Sequence, residues 1–145
     1  MGDHVDSSEN RHLRMSALER KVAVKDANFG KRIRVSNRPK ADVGRMSNRK
    51  TRTIFGDDGL RLGEAEYVDE VLDGKCRLWY PDGQLHEESE YRQGQLHGRY
   101  RTWWQNGRPK ESGQFAHGQR IGRYAWFEIN GQLVKDHDFG EPNGS

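Results

Sequence analysis

The chain repeats itself every 24 residues, and that period restricts it to folds built by stacking one small unit on the next. From Tyr67 the segments YVDEVLDGKCRLWYPDGQLHEESE, YRQGQLHGRYRTWWQNGRPKESGQ and FAHGQRIGRYAWFEINGQLVKDHD follow one another without a gap. Glycines hold the register: Gly74, Gly98 and Gly122 form one series, and Gly83, Gly107 and Gly131 another. Aromatics keep the same step, as Tyr67, Tyr91, Phe115 and Phe139, and as Trp79, Trp103 and Phe127. One period upstream, Phe55 and Asp58-Gly59 occupy the matching positions, so residues 52–66 are expected to form half a repeat and order to begin near Arg52. Repeats are then assigned to 67–90, 91–114 and 115–138, with a short tail at 140–145.

Each unit predicts a β-hairpin. Asp58-Gly59, Asp82-Gly83, Asn106-Gly107 and Asn130-Gly131 are dipeptides favoured in two-residue type I′ turns. Gly94 and Gly118, with Gly98 and Gly122, are expected to shape the return connections, where a left-handed backbone costs glycine little. A two-residue loop at Asp82-Gly83 sets Arg77 opposite Glu88 and Lys75 opposite Glu90; the same rule sets Arg123 against Asp138 and Arg99 against Gln114.

Alternation sorts the first strand of each hairpin into two faces. One carries Cys76, Leu78, Tyr80, Tyr100, Thr102, Trp104, Tyr124, Trp126 and Glu128; the other carries Lys75, Arg77, Trp79, Arg99, Arg101, Trp103, Arg123, Ala125 and Phe127. The rings of the first face suit a thin core. Those of the second are either left for a partner or shielded by the neighbouring arginines. With 32% hydrophobic and 32% charged residues and 17 glycines, a thick core is not expected. The fold predicted is therefore all-β: a single-layer antiparallel β-meander of stacked hairpins.

The recurrence of an aromatic pair before a turn glycine, then a strand ending in Tyr or Phe and a second glycine, resembles the MORN (membrane occupation and recognition nexus) repeat. Stretches such as WYPDGQLHEESEYRQGQLHGRYRTWWQNGRPKE are most similar to the bacterial variant, whose members are often labelled antitoxin components. The resemblance covers Arg52 to Phe139. It implies an elongated hairpin array used for binding; proteins of this kind commonly serve as scaffolds or protein-binding modules, and some are associated with phospholipid.

Residues 1–51 read differently. Positions 1–60 hold 14 basic and 8 acidic side chains, and between Arg20 and Arg52 only Asp26 and Asp42 oppose 12 Lys or Arg. Such composition predicts a largely disordered basic arm. Ser16-Ala17-Leu18-Glu19 has the spacing of a capping box, which predicts a short helix over 17–27 that Gly30 would end. Lys31, Arg32, Arg34, Arg38, Lys40, Arg45, Arg49, Lys50 and Arg52 are the candidates for contact with a polyanion; the same tract also serves as a solvated tether or meets an acidic protein or anionic lipid.

Catalytic and cofactor chemistry has little to stand on. His4, His12, His86, His97, His117 and His137 do not recur at equivalent positions and read as surface residues. Glu87, Glu88, Glu90, Asp136 and Asp138 read as ion-paired sheet surface, and Cys76, the lone cysteine, as a small packed hydrophobe. No metal, cofactor or small-molecule substrate is expected. The absence of an apolar leader at Met1–Asp6, the acids Asp3, Asp6 and Glu9, and the lack of a disulfide pair predict a cytoplasmic location. The leading expectation is a non-enzymatic interaction or scaffold module, antitoxin-like in resemblance, that binds a protein partner or a second copy. Trp79, Trp103 and Phe127 with Arg77, Arg99, Arg101 and Arg123 are its candidate contact residues. The alternative is a nucleic-acid or ribonucleoprotein-associated protein anchored by the basic arm, with an anionic membrane surface less favoured.

Overall fold

In a computed structural model, residues 16–25, 34–39 and 48–142 are described. They form one short helix, α1 (Ala17–Lys25), and nine strands: β1 (Arg34–Pro39), β2 (Arg49–Phe55), β3 (Arg61–Val68), β4 (Val71–Trp79), β5 (Leu85–Arg92), β6 (Gln95–Trp103), β7 (Pro109–Ala116), β8 (Gln119–Phe127) and β9 (Leu133–Asp138). The strands make a single open antiparallel sheet in sequence order. The sheet begins at Arg34, upstream of Arg52, because β1 and β2 pair as an additional hairpin from Arg34↔Phe55 to Pro39↔Lys50. The helix lies within the predicted span; Asp26 and Ala27 fall outside the described residues.

The repeat dipeptides fold into turns of one design, but not the design expected. The Gly83 N–H donates to the Tyr80 carbonyl at 2.9 Å and the Tyr80 N–H to the Gln84 carbonyl at 2.8 Å. Gly83 has φ +94°, while Asp82 is not among the residues of positive φ. That combination is a type I turn with Pro81 at its second position, closed by a left-handed glycine bulge. The Asp82 side chain accepts from the Gln84 N–H at 2.9 Å, and Asp58, Asn106 and Asn130 repeat the bond. The bulge adds one residue after the turn, so Trp79 faces Leu85 while Leu78 faces Glu87. Two departures cancel, and the predicted register Arg77↔Glu88, Lys75↔Glu90, Arg99↔Gln114 and Arg123↔Asp138 is the one observed.

Type I′ turns occupy the opposite end of the sheet. Asp69-Glu70, Gln93-Gly94 and His117-Gly118 each have two consecutive residues of positive φ and join strands paired immediately outside them. At Gly74 and Gly98 the demand is spatial as well: a Cβ there would collide with the carboxylates of Glu66 and Glu90, which accept from the Lys75 and Arg99 amides at 3.1 and 3.0 Å.

Consecutive hairpins are stitched at both ends. The Tyr80 hydroxyl donates to the Trp103 carbonyl at 2.8 Å, and one period later the Trp104 indole donates to the Phe127 carbonyl at 3.2 Å. On the other side the Gly94 and Gly118 amides donate to the Leu72 and Leu96 carbonyls at 2.7 and 2.8 Å.

The core sits on one face, under α1. Leu18 and Val22, one turn apart, are buried against Ile54, Leu62, Ala65, Tyr67, Leu72, Cys76 and Leu78. The fit depends on small residues, since a Cβ at Gly63 would stand 2.6 Å from Val22 Cγ2 and 3.0 Å from Leu18 Cδ1. Ser16 caps the helix by accepting from the Glu19 N–H at 3.2 Å, and the Leu18 N–H donates to the buried Tyr67 hydroxyl at 2.9 Å. Burying Leu18 and Val22 contributes about 1.5–3 kcal/mol each. Further along this face large rings replace the helix: Tyr124 is fully buried, lies flat on Gly113, and meets Phe115 and Trp126 at centroid distances of 5.9 and 4.7 Å.

Candidate binding face

The face turned away from α1 carries the residues singled out from the sequence. Lys75, Arg77 and Trp79 on β4, Arg99, Arg101 and Trp103 on β6, and Arg123, Ala125 and Phe127 on β8 share this face; between the first two sets β5 presents Glu88 and Glu90, whereas β7 carries neutral Ser112 and Gln114 at the matching positions. Trp79, Trp103 and Phe127 are each half-buried. The Arg61 guanidinium lies 4.6 Å over the Trp79 ring and that of Arg101 5.7 Å from the Trp103 ring, so the tryptophans keep one flank covered by cations.

Glu88 links two repeats. Its oxygens accept from Arg77 Nε at 3.1 Å and Arg101 Nη2 at 3.0 Å. Partial burial pushes the Glu88 carboxyl up, but the two guanidiniums outweigh that and hold it below the usual glutamate range. Facing residues do not all pair: Glu90 is turned to the Arg99 amide rather than to Lys75, and Asp138 accepts from the Gly140 N–H at 2.9 Å. Arg99 and Arg123 make no ion pair among the described residues.

The basic tract divides. Lys31, Arg32, Lys40 and Arg45 lie outside the described residues. Of the rest, Lys50 and Arg52 both hold Glu70, whose carboxyl is lowered chiefly by its hydrogen bond from Lys50. Arg49 approaches the Asp73 carboxylate at 3.7 Å, Arg34 lies 5.6 Å over the Phe55 ring, and Arg38 lines a groove with Thr51, Glu64 and Lys75. The described half of the tract is part of the sheet, and three of its five members, Arg49, Lys50 and Arg52, make ion pairs.

Two sequence readings are corrected. Glu87 is not exposed ion-paired surface: it is buried beneath α1, 2.6 Å from Lys21 Nζ, with Ser89 Oγ donating to it at 3.0 Å. His86 is not a surface histidine but is buried edge-on to the Tyr80 ring at 4.3 Å. Lys21 also donates to the Tyr91 hydroxyl at 2.8 Å; burial works against its charge, yet Glu87 and its other neighbours keep its pKa above the ordinary lysine value. Nothing in the spacing of the sequence announces this pair. The available signal was a mismatch, an acid at Glu87 on the face otherwise filled by Cys76, Leu78 and Tyr91.

Catalytic features do not gather. Burial pushes the Cys76 thiol up to about 12, so it stays protonated and packed. Among the described residues no three His, Cys, Asp or Glu side chains are placed to hold a metal ion, and no helix is long and apolar enough to cross a membrane. The His97 and His117 rings meet edge to face at a centroid distance of 5.0 Å, with the His117 backbone N–H donating to His97 Nδ1 at 3.3 Å.

No curated protein and no solved structure matches the chain. Residues 72–93, which make β4 from its second residue, its glycine-bulge turn, β5 and the start of the next turn, match the family model described as MORN repeat variant, and this segment falls just short of one period of the array just described.

Proposed function

We propose that this chain is a non-enzymatic protein-binding module whose contact surface is the face bearing Trp79, Trp103 and Phe127 with Arg77, Arg99, Arg101 and Arg123. The observation that carries this reading is the make-up of the face turned away from α1, which presents half-buried aromatics beside arginines over three successive hairpins. Trp and Arg are the residues that most often dominate protein interfaces. Repeat modules of the MORN type are consistent with binding rather than catalysis.

A second surface has its own support. β9 is exposed along its whole length and pairs with β8 alone among the described strands, and its Leu133 and Val134, with Ile129 in the turn before it, are more than half exposed. Such an edge accepts a further strand from a partner or a second copy. The antitoxin-like role and a cytoplasmic location rest on the resemblance and on the unpaired cysteine; the first predicts rescue from a toxic neighbouring gene product.

The test is photo-crosslinking in cells, with a photoreactive phenylalanine analogue placed in the full chain at Phe127 or at Val134. Protein adducts from position 127 support the proposal. Adducts from 134 alone move the contact to the β9 edge. Nucleic-acid adducts that depend on Arg34 and Arg38 would replace it with the arm-based alternative.

A further inference from the structure

Four successive hairpins place an acid at two positions of their return strand, with one exception. The first position holds Glu64, Glu88, Ser112 and Asp136; the second holds Glu66, Glu90, Gln114 and Asp138. In the third member, on β7, both acids are replaced by neutral side chains. The flanking strands keep their cations, with Arg101 facing Ser112 and Arg99 facing Gln114 on one side, and Arg123 on β8 on the other. The result is a groove of about 470 Å³ lined by Arg99, Arg101, Ser112, Gln114, Ile121 and Arg123.

The groove holds unused donors. Arg99 and Arg123 make no ion pair among the described residues, and Arg101 spends one nitrogen on Glu88 while its Nε is buried without a hydrogen-bond partner. Planar guanidinium forks in this state match carboxylates, which accept two parallel N–H bonds.

We infer that this break in the charge pattern is a docking site for a short acidic peptide segment of a protein partner, held by Arg99, Arg101 and Arg123. The inference deepens the proposed function and rests on that reading of the face. Its length limit comes from the neighbouring columns. β6 and β8 are two strand spacings apart, roughly 10 Å, and beyond them stand Glu88 and Glu90 on β5 and Asp136 and Asp138 on β9. A long polyanion crossing the sheet meets those acids on both sides. Two or three carboxylates within one extended segment fill the groove without reaching them.

The experiment uses the full chain and a labelled peptide, Gly-Ser-Glu-Asp-Glu-Ser-Gly, against the same peptide carrying Gln-Asn-Gln. Binding is followed by fluorescence anisotropy and by the arginine Nε–Hε resonances. The acidic peptide is expected to bind at least about tenfold more tightly and to shift the signals of Arg99, Arg101 and Arg123. Restoring the acids, Ser112→Glu with Gln114→Glu, is expected to abolish the difference while leaving the fold intact by circular dichroism. Equal binding of the two peptides, tighter binding of a 20-base-pair DNA duplex, or acidic-peptide binding unaffected by the double substitution would overturn the inference. Crosslinking from Phe127 decides the face separately: adducts that persist in the double variant leave the face in use and remove the acidic motif alone.

Discussion

Lys21 Nζ lies 2.6 Å from Glu87 Oε1, and this contact joins α1 to the middle of the sheet across 66 positions of sequence. The Glu87 side chain is 3% exposed, so the pair is the charged counterpart of the Leu18 and Val22 contacts beside it. Removing one partner leaves a buried carboxylate unopposed. Lys21→Ala is expected to lower stability by about 3 kcal/mol in urea unfolding, and Lys21→Met combined with Glu87→Gln to recover more than half of that. Additive losses in the double variant would show that the two side chains do not act as a pair.

Glycine positions divide into two classes with different costs. Gly83 and Gly107 have φ near +90° and open space around the Cβ direction, so Ala there is strained by the backbone alone, about 1–2 kcal/mol. Gly74 and Gly98 carry the additional collision with Glu66 and Glu90. Gly98→Ala is therefore expected to lower the thermal midpoint more than Gly107→Ala, and the reverse order would contradict the bulge geometry.

The small-residue dish under α1 can be filled from below. Gly63→Val pushes against Val22 and Leu18 while leaving the sheet hydrogen bonds in place. Trypsin is expected to cut the variant rapidly at Arg20 and Lys21, with the segment from β4 to β8 remaining resistant. Unchanged protection of α1 would mean that the helix does not depend on this seat.

Alkaline pH acts on the same structure. Burial raises Tyr100 and Tyr124, the latter to about 12, and Lys21 is raised in the folded state by Glu87 against the opposing effect of burial. For each of these groups the folded chain holds its proton more tightly than the unfolded chain. Their contribution is complete below about pH 10, where the free tyrosine and lysine side chains are still protonated, and is lost as pH rises through the folded values. The urea midpoint is expected to fall between about pH 10 and 12, with Tyr100 and Tyr124 both ionising above the free-tyrosine range by absorbance or ¹³C resonance. Tyr124 titrating like a free tyrosine would remove this account.

The sheet was legible because its cause is local and periodic. Turn glycines, alternating rings and facing charges recur every 24 residues, and each hairpin needs information only from itself and its neighbour. The turn type was misassigned because Asp-Gly and Asn-Gly also suit a type I turn with a glycine bulge, and Pro81 at the second turn position fits that geometry well. Both solutions give one register, so the strand pairing came out correctly from the wrong loop. β1 lacks the period altogether: Arg34–Pro39 carries a single exposed apolar residue, Val35, so nothing in its pattern separates it from the basic tract around it.

The helix seat was hidden for another reason. Ser16 and Glu19 marked the start of α1, but its two anchoring residues are too few to announce a buried stripe. The sign of it lies instead in the receiving strands, where Gly63, Ala65 and Cys76 stand at positions that later repeats fill with Glu87, Ser89 and Tyr100. The face proposed for binding was legible as a row of residues, whereas the neutral pair Ser112 and Gln114 became a groove only when β7 was set between β6 and β8.

Because every described strand pairs only with the one before it and the one after it, no pairing among the described strands closes the array on itself. Cohesion is passed hand to hand along the chain, strongest where the helix spans β3 and β4 and weakest at the terminal hairpin. An amide-exchange gradient rising toward β9 follows, and with it a molecule that can loosen one end while the other stays folded.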